Sequence, residues 1–397
     1  MELLGYERKD GRKGIRNVIL VAYLVECAHF VSSEIAYPYK KDGVQVVGFG
    51  GCYPNSHASK VMTQLCTHPN VGAVLLVSLG CESFNRAKLA KDIQASGRPV
   101  ETLVIQNCGG TAKTVKKGQA WLQSTISKLM DTKRVKIGVK DLVVGTICGG
   151  SDATSGITAN PAVGLTFDKL VKNQAIAIFE ETGEMIGCVE DIVARAKTRN
   201  LGMEIQNCLN KAARYYTIMG HGSFAPGNAD GGLSTIEEKS LGAYSKSGSA
   251  QISGLIKPGD VPPSAGLYLM DVVPDGEPRF GFPNINDNME ITELIASGCH
   301  LILFTTGRGS VVGSAVSPVI KICANPDTFR KMSDDMDVNA GKVIESNVTL
   351  QEVSEEIYDK IIETASGVPT VSEKLGHQEF VIGYKTFEPI GPNCLVG

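Results

Sequence analysis

This chain has no excess of charge of either sign to speak of. Lysine and arginine together number 39 against 42 aspartates and glutamates, for a formal net charge of -3 and a pI near 6.1. With no basic field and no lysine or arginine tract, nothing is available to neutralise a phosphate backbone, so nucleic acid is excluded as a partner. No C-x-x-C pair occurs, which argues against a zinc ribbon or a ferredoxin-type site. GFGGC (48–52) and GRGSVVG (307–313) lack the acidic residue of a dinucleotide fingerprint, and no Walker lysine-serine follows a phosphate loop. Strict repeats, heptads and low-complexity tracts are missing as well. The opening MELLGYERKDGRKGIRNVILVAYLVECAHF mimics a secretory signal, but Glu26 and His29 interrupt it and no clean cleavage site follows. Its apolar run, Val18 to Val25, has the length of a strand. The expectation is a cytoplasmic protein without a membrane span.

What is present is apolar and cysteine-bearing. At 397 residues and 43% hydrophobic content the chain is too long for one ordinary core, so at least two domains are expected. Eleven cysteines, an odd number scattered over a large chain, point to reduced thiols rather than a disulfide framework. Five of them close apolar runs in the first 150 residues: NVILVAYLVEC (Cys27), VQVVGFGGC (Cys52), AVLLVSLGC (Cys81), ETLVIQNC (Cys108) and DLVVGTIC (Cys148). Such runs suit strands buried on both faces of a parallel sheet. Helical stretches lie between them, at 56–68, 86–97 and 116–132, and the alternation reads as βαβ.

The expected fold is therefore α/β, with two Rossmann-like parallel-sheet domains and the active site at strand carboxyl ends between them. The charged segment TKRVKIGVK marks the boundary, giving an N-terminal domain over 1–134 and a C-terminal catalytic domain over 135–397 with a loop-rich segment at 221–290. QAIAIFEE and HLILFTTGRGS are two further strands of the second domain.

Several side chains have the chemistry of a site. Any single cysteine reads first as core packing, yet three or four thiolates meeting at one rim would bind a soft metal or an iron-sulfur cluster. His57, five residues after Cys52, is either a surface histidine or a ligand or base. Glu82 either favours a helix N-terminus or acts as an acid-base group. Arg308, between glycines after a strand and preceded by Thr306, presents a fork suited to a carboxylate. Lys239, beside Glu237 and Glu238, is a base, an anion ligand or part of a solvated face, and Arg16 in DGRKGIRN has the same ambiguity.

DGRKGIRN, HPNVGAVLLVSLGCES, CGGSDATSGITANPAVG, GNADGGLSTIEEKSLG, LFTTGRGSVVGS and DDMDVNAG occur in an order that resembles the altronate and galactarate dehydratase family of hydro-lyases over essentially the whole chain. MDVVPDGEPRFGFPNINDN, IASGCHLILFTTGRGSVVGSAVSP and GHQEFVIGYKTFEPIGPNC look most similar to the branch of carbon-sulfur lyases that eliminate sulfite from (2R)-3-sulfolactate, with an aldonate dehydratase as the alternative. The family's small N-terminal domain has no counterpart here, so the resemblance implies a two-subunit enzyme with a small (alpha) partner. It also implies iron, as Fe²⁺ or a cluster with an open iron, held by Cys52, Cys81 and Cys148 with Cys27 as alternate. Arg308, Ser151, Asp152, Thr306 and Arg16 would then hold the substrate. His57 or Lys239, with Glu82, would handle its proton.

Overall fold

The computed structural model describes residues 3–219, 226–279 and 285–387. The start of the 221–242 segment, part of the 258–288 stretch and the last residues of the chain, Cys394 included, lie outside them.

The chain opens on β1 (Leu4–Glu7) and β2 (Lys13–Gly14), an antiparallel pair. Four of the apolar runs then form a parallel sheet of β3 (Val18–Tyr23), β4 (Val44–Gly48), β5 (Val71–Ser78) and β6 (Val100–Val104), in the order β4-β3-β5-β6. β5 is buried at every position, as a strand covered on both faces must be. Helices Ser56–Cys66, Arg86–Ala95 and Thr111–Met130 follow β4, β5 and β6 in turn. The charged segment after them is not a free linker. Its β7 (Val135–Lys136) returns to pair with β1, and its charges sit on the edge of a three-stranded sheet, where water solvates them.

The second sheet is wholly parallel. It comprises β8 (Val143–Cys148), β9 (Ile176–Phe179), β10 (Ile252–Ile256), β11 (Gly266–Met270), β12 (Leu301–Thr306), β13 (Val319–Cys323) and β14 (Val338–Asn339), in the order β10-β11-β9-β8-β12-β13-β14. The expected loop-rich segment 221–290 is thereby corrected. It holds helix Ile236–Lys246 and two strands, one of which, GLYLM, is buried throughout but masked in the sequence by flanking prolines and glycines.

One apolar core joins the sheets, with Leu20, Val47 and Leu76 from the first and Ile147, Tyr268 and Phe304 from the second. Helix Ser56–Cys66 of the first domain packs on helix Asp287–Ala296 of the second. From β8 the sheet grows through β9, β11 and β10 on one side and through β12, β13 and β14 on the other. The chain order thus reverses between β8 and β12, the place where open parallel sheets bind ligands beyond their carboxyl ends. No helix among the described residues is long and apolar enough to cross a membrane, and the ten described cysteines are free.

Candidate active site

Five of the seven strands of the second sheet carry polar groups of the candidate site at the carboxyl rim: Lys257 after β10, Asp271 after β11, Glu180 and Glu181 after β9, Cys148 at the end of β8, Arg308 after β12. The two turns at the switch point are interlocked. The backbone N–H groups of Gly307 and Arg308 donate to the carbonyl of Gly150 at 2.9 and 3.1 Å, and Thr306 Oγ1 adds a third bond at 3.2 Å. Position 307 must be glycine, because a Cβ there would lie 2.3 Å from Asp152 Cγ.

Asp152 has its acceptors taken up by the turn. Oδ1 receives Thr154 N, Thr154 Oγ1 and Ser155 Oγ at 2.9, 2.6 and 3.2 Å, and Oδ2 receives Asn325 Nδ2 at 2.8 Å. Thr306 Oγ1 also accepts from Gly309 N at 2.9 Å. Both residues, expected to hold substrate, instead shape the turn that carries Cys148 and Arg308. Ser151 Oγ faces the Cys148 sulfur at 3.7 Å. The Arg308 side chain is exposed and donates to the Gly227 carbonyl.

Behind this turn lies a buried ionic network that the sequence reading largely missed. The Glu181 carboxylate pairs with Lys246, both within 4% of complete burial, and Cys148 is among the groups that act on it. Burial would raise Glu181, but Lys246, the thiol and Lys239 outweigh it and hold the carboxyl below its usual range. Burial pushes the Cys148 thiol up to about 12, with Glu181 adding to the effect, so the thiol is protonated. Lys239 stands 3.9 Å from Glu184. Burial acts to deprotonate it, but Cys148, Glu184 and Glu181 prevail and its pKa is raised. Lys239 is therefore an ammonium at neutral pH rather than a base. Thr235 caps its helix by accepting from Glu238 N at 3.3 Å, which leaves Glu237 and Glu238 in solvent and turns Lys239 and Lys246 inward.

Acids outnumber cations here. Burial first, then neighbouring carboxylates, push Glu180 and Glu290 well above the usual range, and burial likewise raises Glu184 and Asp287 against the pull of Lys239. Asp287, Glu290 and Glu293 recur at i, i+3 and i+6 on the helix DNMEITELIA, whose remaining faces are apolar and buried. That stripe was the readable signal. Glu293 closes the network, with Lys385 Nζ at 2.5 Å and His57 Nε2 at 3.2 Å. His57 reaches it from the first domain, on a helix capped by Asn55, whose Oδ1 accepts from Ala58 N at 2.9 Å. A buried carboxylate thus stands at ion-pair distance from an imidazole at the domain junction, a combination from which a general base can be built.

The remaining expected site residues lie elsewhere. Cys27, Cys52 and Cys81 are exposed on loops beyond β3, β4 and β5, where Ser83 N donates to Cys52 O at 2.9 Å. Cys148 belongs to the other sheet. Among the described residues no three His, Cys, Asp or Glu side chains are gathered so as to hold a metal ion. As they stand, these thiols do not fit a three-thiolate iron site, and no step below is routed through iron. Glu82 accepts from Ser78 Oγ and from Gly80 N, the latter at 2.8 Å, so it braces its own loop. Arg16 sits near the amino end of β3, away from the rim. It is bidentate to Glu373 at 2.8 and 2.9 Å and donates to the carbonyls of Ile15, Thr364 and Val368. An arginine so engaged is a staple between the chain's two ends, not a substrate clamp.

Fold and site together define an α/β enzyme with an acid-base cluster at a topological switch point. Residues 139–387 match the family model for D-galactarate/altronate dehydratase, C-terminal, and residues 5–130 match D-galactarate dehydratase/altronate hydrolase, second domain. The chain is 32% identical to (2R)-sulfolactate sulfo-lyase subunit beta of Chromohalobacter salexigens, over 96% of each chain. It is 29% identical to altronate dehydratase of Bacillus subtilis and 29% identical to galactarate dehydratase (L-threo-forming) of Escherichia coli, each over 95% of this chain and 76% of the relative. The chain belongs to the D-galactarate/altronate dehydratase family, whose members are lyases.

Proposed function

We propose that this chain is the catalytic large subunit of a lyase that eliminates sulfite from (2R)-3-sulfolactate, giving pyruvate and hydrogensulfite. The similarity to a sulfo-lyase beta subunit over 96% of both chains supports the branch, and that relative's designation as a subunit supports a small partner chain. The observation that carries the chemistry is the approach of His57 Nε2 to within 3.2 Å of Glu293, a carboxylate that the buried Lys385 ammonium also pairs. His57, which stands 3.2 Å from Glu293, takes the C2 proton as general base. The C2 electron pair forms the C2=C3 bond, and the C3–S bond breaks with its electrons leaving on sulfite. The enol of pyruvate then takes a proton at C3 and releases its hydroxyl proton, giving the keto acid, while the proton taken up by His57 passes to sulfite to give hydrogensulfite. Lys239 and Arg308 offset the negative charge that builds on the substrate carboxylate as C2 is deprotonated.

A sugar-acid dehydratase of altronate type is the second reading. Hydroxide is a poor leaving group and needs a proton donor, which the raised carboxyls Glu180, Glu184 and Glu290 favour. Sulfite release from (2R)-3-sulfolactate, measured beside keto-acid formation from altronate with the small partner present, tests the assignment. Sulfite release with no turnover of altronate supports the sulfo-lyase, and the reverse pattern overturns it.

A further inference from the structure

A cavity of about 340 Å³ opens beyond β10 and β11, lined by His57 and Lys60 of the first domain, Lys257 after β10, Asp271 and Asp275 after β11, and Lys385 near the C-terminus. Its size suits a small ligand. Lys257 in its wall shares its two carboxylates with Lys211, which does not itself line the cavity. Lys211 Nζ and Lys257 Nζ donate to Asp271 Oδ2 at 2.6 and 2.7 Å, and both also donate to Asp275 Oδ1, at 2.8 and 2.7 Å. The two carboxylates are not equivalent. The side chain of Asp271 is 3% exposed and follows directly on β11, whereas that of Asp275 is 74% exposed on the turn PDGE. Asp271 is a permanent counterion, while Asp275 is an anion supplied by a loop that solvent can reclaim.

We propose that Lys257, with Lys211 sharing its counterions, is the seat for the substrate's sulfonate, and that Asp275 fills this seat in the free protein and yields it when substrate arrives. The inference rests on the sulfo-lyase reading for the identity of the anion. Ammonium groups are point charges that suit a tetrahedral oxyanion, whereas the flat arginine fork that selects a planar carboxylate does not line this cavity. His57 lines the same cavity, so a three-carbon acid anchored at Lys257 presents its C2–H bond to the proposed base. Asp275 is thereby a specificity residue: an analogue lacking a strong anion on C3 cannot displace it.

Isothermal titration with methanesulfonate, acetate and inorganic sulfate tests the seat apart from turnover. In Asp275→Asn, which keeps both lysines and alters only an exposed side chain, methanesulfonate and sulfate should bind about fivefold tighter, the equivalent of losing one partly solvated competing ion pair. In Lys257→Met that binding should be lost, and in the active enzyme the KM for sulfolactate should rise at least about tenfold with kcat little changed. Lys257→Arg should recover part of the binding, which separates a seat from a merely structural lysine. Anion binding that ignores both Asp275 and Lys257, or acetate bound more tightly than methanesulfonate, would overturn the proposal. If the anions behave as expected but sulfolactate releases no sulfite, the seat stands and the sulfo-lyase reading falls.

Discussion

Acidification from pH 7 to pH 4.5 places a measurable load on the seam between the two sheets, through His300. This residue immediately precedes β12 and is 3% exposed. Its Nδ1 accepts from Val143 N at 2.9 Å, so the proton sits on Nε2, which donates to the Lys13 carbonyl at 2.7 Å. Its own carbonyl accepts from Asn70 Nδ2 of the first domain at 3.0 Å. Burial lowers its pKa to about 4 from an ordinary 6.5; Arg12 acts in the same direction, and the Lys13 carbonyl and Asp141 oppose it. The unfolded chain therefore binds the extra proton first, at pH values between the two. The stabilisation is complete above about pH 6.5 and is lost as pH falls toward 4, amounting to about 3 kcal/mol in all and about 2.5 kcal/mol by pH 4.5. His68, with its ring 6.1 Å away, is buried and depressed as well, and adds to the loss. Glu180 and Glu290, raised in the folded protein, contribute with the opposite sign. Comparing urea midpoints of the wild type and His300→Gln across this range cancels these shared groups. The variant should start less stable and lose about 2.5 kcal/mol less on acidification. An identical pH slope in the two proteins would refute the assignment.

Two further substitutions separate catalysis from architecture. Lys246→Met strips Glu181, a buried carboxylate, of its directly paired lysine, and should cost about 3–5 kcal/mol in denaturant unfolding. Adding Glu181→Gln should recover much of that loss, and a double variant no better than the single would contradict the pairing. Arg16→Met removes the two-ended staple to Glu373 and should cost about 2 kcal/mol while leaving kcat per folded molecule unchanged. A selective loss of kcat at normal stability would return Arg16 to the substrate site.

Parallel architecture was readable because its strands are buried on both faces and so appear as unbroken apolar runs: AVLLVSLGC becomes β5 and DLVVGTIC becomes β8 with little adjustment. GLYLM was not readable, since five apolar residues between proline-rich turns carry no periodicity of their own, and only pairing to β9 and β10 makes them a strand. The site divides in the same way. Cys148, Lys239 and His57 stand out in the sequence because each lies beside glycines, acids or another candidate side chain that breaks a simple pattern. Their surroundings are set by partners distant in sequence, and these change the reading: burial with Glu181 keeps the Cys148 thiol protonated, the surrounding acids keep Lys239 charged, and Glu293, 236 positions beyond His57, brings a buried carboxylate to the imidazole. The glycine-rich turn after Cys148 follows the same logic. Gly150 brings the chain against Arg308, and Gly307 brings the facing turn against Asp152, so closely that the two turns lock, and the thiol, which on sequence grounds pointed to a metal, is held protonated by burial beside an acid-base cluster.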